Sequence, residues 1–143
     1  MYTAWRSLYL PPRIMLKRLF SKKPKVIPLR IRQQAEFENL VLKAPLPTVV
    51  DIWSPSCAPC RKLESVLIEV ATKYAGRLQV AEIGMDAAPQ LLAQLGVMAT
   101  PTLIVFNKGN ELGRSTGFRP VAWFDGLVET EFPQSPQQPP DEA

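Results

Sequence analysis

Thr48, Val49, Val50, Ile52 and Trp53 crowd β-branched and aromatic side chains into six consecutive positions, interrupted only by Asp51. Such a run has no polar face, so it reads as a central strand covered on both sides. Residues 54–60 break it with Pro55 and Pro59, and the period then changes. Leu63, Val66, Leu67, Val70, Ala71 and Tyr74 recur at helical spacing, the clearest amphipathic helix in the chain, and Gly76 follows as a C-terminal stop. Residues 78–83 and 102–106 are two further apolar strands. Between them, residues 89–95 form a short helix ended by Gly96, with Leu91, Leu92 and Leu95 inward. Residues 107–110 make a turn, and residues 111–116 pair back as a hairpin. Pro120 opens a last helix with Val121, Phe124, Leu127 and Val128 on its apolar side; Trp123 and Phe124 read as core there. Upstream, residues 29–32 alternate apolar and basic, as suits a short edge strand. Residues 35–42 place Phe37, Leu40 and Val41 at helical spacing before Pro45 and Pro47 end that helix.

The order is β-α-β-α-β-α-β-β-α, with no internal repeat. Alternating elements predict an α/β fold: a central mixed sheet of about five strands, covered by helices on both faces, with an antiparallel hairpin at one side. The chain has 143 residues, of which 46% are hydrophobic, enough for one well-packed domain and too little for two.

Charge is unevenly spread. Residues 1–35 hold nine Lys or Arg and no acid, whereas residues 36–143 hold eight basic and thirteen acidic residues, a formal charge of −5. The overall +4 therefore belongs to an N-terminal arm and not to the folded body, which does not support a basic domain face for nucleic acid. Pro11, Pro12, Pro24 and Pro28 prevent a long helix through that arm, and no apolar stretch suits a secretory signal or a membrane span. We expect residues 1–27 to be a disordered basic arm. Two alternatives stay open: an organellar transit peptide, and weak contact with an anionic membrane surface through Ile14, Met15, Leu16, Leu19 and Phe20 with the lysines that follow. Met15 is an alternative start. Residues 28–132 form the expected domain, and the Pro- and Gln-rich residues 133–143 a disordered tail.

Histidine is absent, which removes imidazole triads and His-ligated metal sites. The two cysteines are Cys57 and Cys60, set between the buried strand and the amphipathic helix. The first turn of a helix presents unpaired N–H groups and partial positive charge, so a thiolate at Cys57 is stabilised there, with Arg61 and Lys62 adding charge nearby. Two intervening residues, Ala58 and Pro59, set Cys60 about one turn further on, so a small disulfide ring can close and reopen. Cys57 would attack a substrate disulfide, and Cys60 would resolve the mixed disulfide. A zinc half-site lacks two ligands, and a structural disulfide closing so short a loop removes little chain entropy. Asp51 stands in a strand fit for burial, which would raise its pKa. It is the candidate proton carrier for Cys60, directly or through a water; the alternative is an acid at a strand end reaching solvent or a backbone donor.

Asp51-Ile52-Trp53, Cys57-Ala58-Pro59-Cys60, Met85-Asp86, Ala99-Thr100-Pro101-Thr102-Leu103 and Gly117 together resemble the thioredoxin family in order and spacing, over roughly residues 28–132. The resemblance implies a thioredoxin fold in which Cys57 is the exposed nucleophile, Cys60 the buried resolving thiol and Asp51 the buried acid behind it. It implies that Trp53 packs beside the site and that a cis peptide joins Thr100 to Pro101, facing the cysteines. Substrate would dock against Trp53, Ala58, Pro59, Thr100, Pro101 and Gly117. It implies a protein-disulfide reductase acting on disulfide-containing proteins as a monomer. Such an enzyme works in the cytoplasm without metal or organic cofactor, and a flavoprotein thioredoxin reductase supplies its electrons. An oxidising or membrane-associated relative, or a non-enzymatic peptide-binding adaptor, is the alternative. Four positions depart from the usual family pattern: Ser56 for tryptophan, Ala58 for glycine, Ser65 for the helix-kinking proline and Glu82 for a lysine near the buried acid. If Glu82 lies close to Asp51, it would raise that acid further.

Overall fold

The computed structural model describes residues 23–134. The readings of residues 1–22 as a basic arm and of residues 135–143 as a tail fall outside them. Five strands form one sheet in the order β1-β3-β2-β4-β5: β1 (Leu29–Arg30), β2 (Thr48–Trp53), β3 (Gln79–Gly84), β4 (Thr102–Asn107) and β5 (Asn110–Thr116). β1 and β2 run parallel to β3, while β4 runs antiparallel to both β2 and β5. The helices are α1 (Gln34–Phe37), α2 (Ala58–Lys73), α3 (Pro89–Gln94) and α4 (Val121–Glu131). This is the mixed, doubly covered α/β sheet that the alternation of elements predicts.

β2 sits at the centre because both of its faces are apolar: Val49, Val50 and Ile52 are fully buried. Val50 and Ile52 join Ile31, Phe37, Val41, Ala81, Ile83, Leu91, Leu92 and Ile104 on the face covered by α1 and α3. Val49 joins Leu63, Leu67, Val70, Leu103, Val105, Phe124 and Val128 on the face covered by α2 and α4. Each large side chain fully buried in this way contributes roughly 1.5–3 kcal/mol. Since side chains alternate along a strand, Asp51 and Trp53 share the α2 face with Val49.

Two details differ from the sequence reading. The helix expected over residues 35–42 is α-helical only to Phe37 and continues as a π-helical turn, Glu38–Leu42, closed by the Lys43 N–H donating to the Glu38 carbonyl at 3.0 Å. Phe37 and Val41 join the same core cluster, while Leu40 faces outward. Leu40 is 41% exposed, not buried with its neighbours as the spacing suggested. The edge strand pairs only through Leu29 and Arg30, although the Ile31 N–H still donates to the Glu82 carbonyl at 2.9 Å and Ile31 is buried. Immediately before β1, the Val26 N–H donates to Thr72 Oγ1 at 2.9 Å, laying this segment along α2.

Candidate active site

The topology gathers the candidate residues at one end of the sheet. β2 ends there at Trp53, and Cys57 follows. β4 is antiparallel to β2, so it begins at that same end, just after Pro101; β5 is antiparallel to β4, so it finishes there, just before Gly117. Thr102 stands opposite Ile52 on one side and Thr116 on the other, which fixes this juxtaposition.

Cys57 is the N-cap of α2 and is disulfide-bonded to Cys60, with 5.2 Å between their Cα atoms. The Cys60 N–H, one of the helix's otherwise unpaired donors, donates to Cys57 Sγ at 3.2 Å. Pro59 sits in the first turn, where its missing N–H has no partner to lose, and that turn holds no acid to oppose a thiolate. The expected contrast between an open Cys57 and a covered Cys60 is narrow in this oxidised form: the residues are 8% and 6% exposed. Each sulfur covers part of the other once the bond has formed. Ala58 and Pro59 between them are exposed.

The peptide between Thr100 and Pro101 is cis. Thr100 is half-buried and Pro101 buried. Hydrogen bonds hold this loop on three sides. Ser54 Oγ and Thr100 Oγ1 lie 2.9 Å apart, tying it to the chain that leads to Cys57. Thr102 Oγ1 donates to the Ala99 carbonyl at 2.6 Å, and the Gly117 N–H donates to the Pro101 carbonyl at 2.9 Å. Gly117 has φ +88°, a conformation that side chains other than glycine rarely adopt. Next to the loop, Met98 is 94% exposed. Trp53 lies over Gly84, where an added Cβ would stand 3.3 Å from the indole ring. A side chain at that point would crowd the ring.

Asp51 is buried behind the disulfide. A cavity of about 180 Å³ is lined by Asp51, Cys60, Trp53, Arg30, Glu82 and Glu64, among others. Asp51 Oδ1 has no hydrogen-bond partner in the protein. Its carboxyl is pushed up from an ordinary 3.8 to about 7, first by burial and then by the negative charge of Glu82, which is its register neighbour on β3. Glu82 in turn accepts from Arg30 Nε at 2.8 Å.

Sequence reasoning missed Ser54 and Arg30. Ser54 counted only as a strand breaker, and nothing near it in sequence signals a bond to Thr100. Arg30 counted only as a basic residue on an edge strand, because its partner depends on β1 pairing with β3, fifty residues away by number.

A closed Cys-X-X-Cys ring capping a helix, at one end of a mixed five-stranded sheet and backed by a buried acid, defines a class of redox protein, the thiol–disulfide oxidoreductases. Comparison with known proteins narrows the class. The thioredoxin family model matches residues 28–129, and the chain belongs to the thioredoxin family. Thioredoxin 1 of Nostoc sp. is 36% identical over 93 residues, spanning 65% of this chain and 87% of that protein. The thioredoxin of Synechocystis sp. is 35% identical over 95 residues, spanning 66% and 89%. The chloroplastic M-type thioredoxin of Chlamydomonas reinhardtii is 33% identical over 93 residues, spanning 65% and 66%. The Cys57–Cys60 pair thus carries thiol–disulfide exchange, and a non-enzymatic adaptor is not favoured. Among the described residues, no helix is long and apolar enough to cross a membrane.

Proposed function

We propose that the protein reduces protein disulfides, with Cys57 as nucleophile, Cys60 as resolving thiol and Asp51 as the acceptor of the Cys60 proton. The observation that carries this is the Cys60 N–H held on Cys57 Sγ at the mouth of α2. That donor and the helix dipole favour a thiolate on Cys57 when the ring is open. The thiolate attacks one sulfur of a substrate disulfide, and the other substrate sulfur leaves with the bonding electron pair. Cys60 then gives its proton to the Asp51 carboxylate and attacks Cys57 Sγ. The second substrate sulfur departs, and the Cys57–Cys60 bond remains. Two electrons have passed to the substrate, and a flavoprotein thioredoxin reductase would restore the dithiol.

Substrate docks in this reading as an extended segment along the Thr100–Pro101 loop. Gly117 admits its backbone, and Trp53, Ala58, Pro59 and exposed Met98 flank it. Ser56, where relatives of this fold usually carry tryptophan, makes the surface beside Cys57 smaller and more polar, which favours substrates with less apolar bulk next to the disulfide. The working unit is residues 28–132, acting as a monomer in a reducing compartment such as the cytoplasm, with the basic residues before it as a contact for an anionic surface.

Insulin reduction with Cys57→Ser tests the role of the nucleophile. Turnover should disappear, and a rate equal to the wild type would overturn the assignment. The reduction potential tests direction. The family's characteristic value of about −270 mV supports a reductase, whereas about −120 mV marks an oxidant.

A further inference from the structure

Arg30, Glu82 and Asp51 occupy one row across three neighbouring strands. Arg30 on β1 stands opposite Glu82 on β3, and Glu82 stands opposite Asp51 on β2. Register neighbours on adjacent strands lie about 5 Å apart and point to the same face, so the row leads from solvent to the buried acid. Exposure follows the row: the Arg30 side chain is 68% exposed and that of Glu82 19%, while Asp51 as a whole is 3% exposed. All three line the cavity that also touches Cys60. A cavity of about 180 Å³ with these charged groups in its wall has room for several water molecules beside them.

We propose that Glu82, held at the cavity mouth by Arg30, is the relay carboxylate through which Asp51 exchanges its proton with solvent. The proposal rests on the reading of Asp51 as acceptor of the Cys60 proton. After that transfer Asp51 carries one proton more than before. The electron pair left on Cys60 Sγ forms the bond to Cys57 Sγ. The Cys57–substrate bond breaks, and its pair leaves on the substrate sulfur, which is protonated from solvent. Asp51 can return this proton to Cys60 when the ring is reopened or exchange it with solvent, and the relay serves the second route. Glu82 takes that proton through cavity water and passes it outward. Arg30 is a positioning residue that fixes the Glu82 carboxylate toward the mouth.

Among the described residues, the charged groups around Asp51 are those that line its cavity. β4 offers only Leu103 opposite it. β1 and β3 offer Arg30 and Glu82, and α2 offers Cys60, Arg61 and Glu64 along the cavity wall. A negative neighbour raises an acid and a positive one lowers it, so Glu82 and Arg30 act on Asp51 with opposite signs.

The test combines the pH profile of insulin reduction with the NMR titration of the Asp51 carboxyl in the oxidised protein. Glu82→Gln should move the Asp51 midpoint to lower pH by about one pH unit and slow the maximal rate severalfold. Arg30→Met should move the midpoint to higher pH, and Arg30→Lys should restore it. A same-direction shift in Glu82→Gln and Arg30→Met, or no shift in either, overturns the proposal. A shifted Glu82→Gln profile with an undiminished maximal rate also overturns it, since Glu82 would then be a source of field and not a relay. Asp51→Asn separates the premise from the proposal. If it leaves the pH profile unchanged, the Asp51 reading itself fails. If it flattens the profile while both Glu82→Gln and Arg30→Met behave as wild type, only the relay fails. Side chains at the mouth tolerate substitution better than core residues, and thermal melts of each oxidised variant confirm folding.

Discussion

Asp51 and Asp125 flank opposite ends of the same helix, and their surroundings could hardly differ more. Asp51 faces the N-terminal end of α2, buried, with one oxygen lacking a partner, and its carboxyl is raised to about 7. Asp125 on α4 faces the C-terminal end. There Lys73 Nζ donates to it at 2.8 Å and the Tyr74 hydroxyl donates as well, and these hydrogen bonds hold its carboxyl below the ordinary range. A carboxylate supplied with donors stays charged and ties two helices together. One denied donors is near the point of exchanging its proton at neutral pH, which is what proton transfer requires. The same side chain serves packing at one end of α2 and chemistry at the other: burial and the charge of Glu82 raise the first, and hydrogen-bond donors lower the second.

The comparison breaks first if the polar clasp, and not the core, is what holds α4. Phe124 and Val128 are the buried residues of α4 and pack beneath α2. Phe124→Ala should lower stability by about 3–5 kcal/mol, the usual cost of removing a buried aromatic ring. Urea unfolding measures it. A loss smaller than that of Asp125→Asn would mean that the clasp dominates.

Asp51→Asn sharpens the contrast next, because its effect has the opposite sign. Below about pH 4 both the folded and the unfolded chain keep the Asp51 proton, and the acid does not oppose folding. Between about pH 4 and about 7 the unfolded chain has released its proton while the folded chain still holds it, and above about 7 both have lost it. Stability therefore falls with rising pH across that window. The oxidised Asp51→Asn protein should be more stable than wild type by roughly 2–4 kcal/mol at pH 8 and nearly equal to it at pH 4. Denaturant midpoints at the two pH values check this. A difference that does not grow with pH would show that Asp51 is not the raised group.

Local patterns carried much of this into view. The β-branched run at Thr48–Trp53 required a covered central strand, and the Leu63–Tyr74 spacing required a helix whose mouth must hold the cysteines. Asp51 stood out because nothing apolar explained it. What the sequence hid is non-local or geometric. The π-helical turn that exposes Leu40 depends on a carbonyl choosing a donor five residues on, which residue type does not reveal. The row from Arg30 to Asp51 exists only once β1 pairs with β3, and strand order is set by how the helices cover the sheet. The Ser54–Thr100 bond spans two loops that become neighbours only in the closed fold. The expectation of an exposed Cys57 came from the family resemblance, and in the disulfide form the difference from Cys60 nearly vanishes.

The smallest effect belongs to Asp125 itself. Its side chain is 29% exposed and that of Lys73 49%, so solvent screens the pair, and a surface ion pair of this kind adds little. Its carboxyl is lowered, so the favourable contribution is present above the pH where the unfolded acid titrates. It is lost as pH falls through the folded value. Asp125→Asn should thus give a slight drop in melting temperature at pH 7 that fades in acid. Salt near 1 M should shrink the difference further, because the screening length falls to about 3 Å. The pH trend runs opposite to that of Asp51→Asn. Thermal melts of both variants across the same pH series read the two slopes side by side. If the slopes share a sign, burial on one side and hydrogen-bond donors on the other do not separate the two carboxylates.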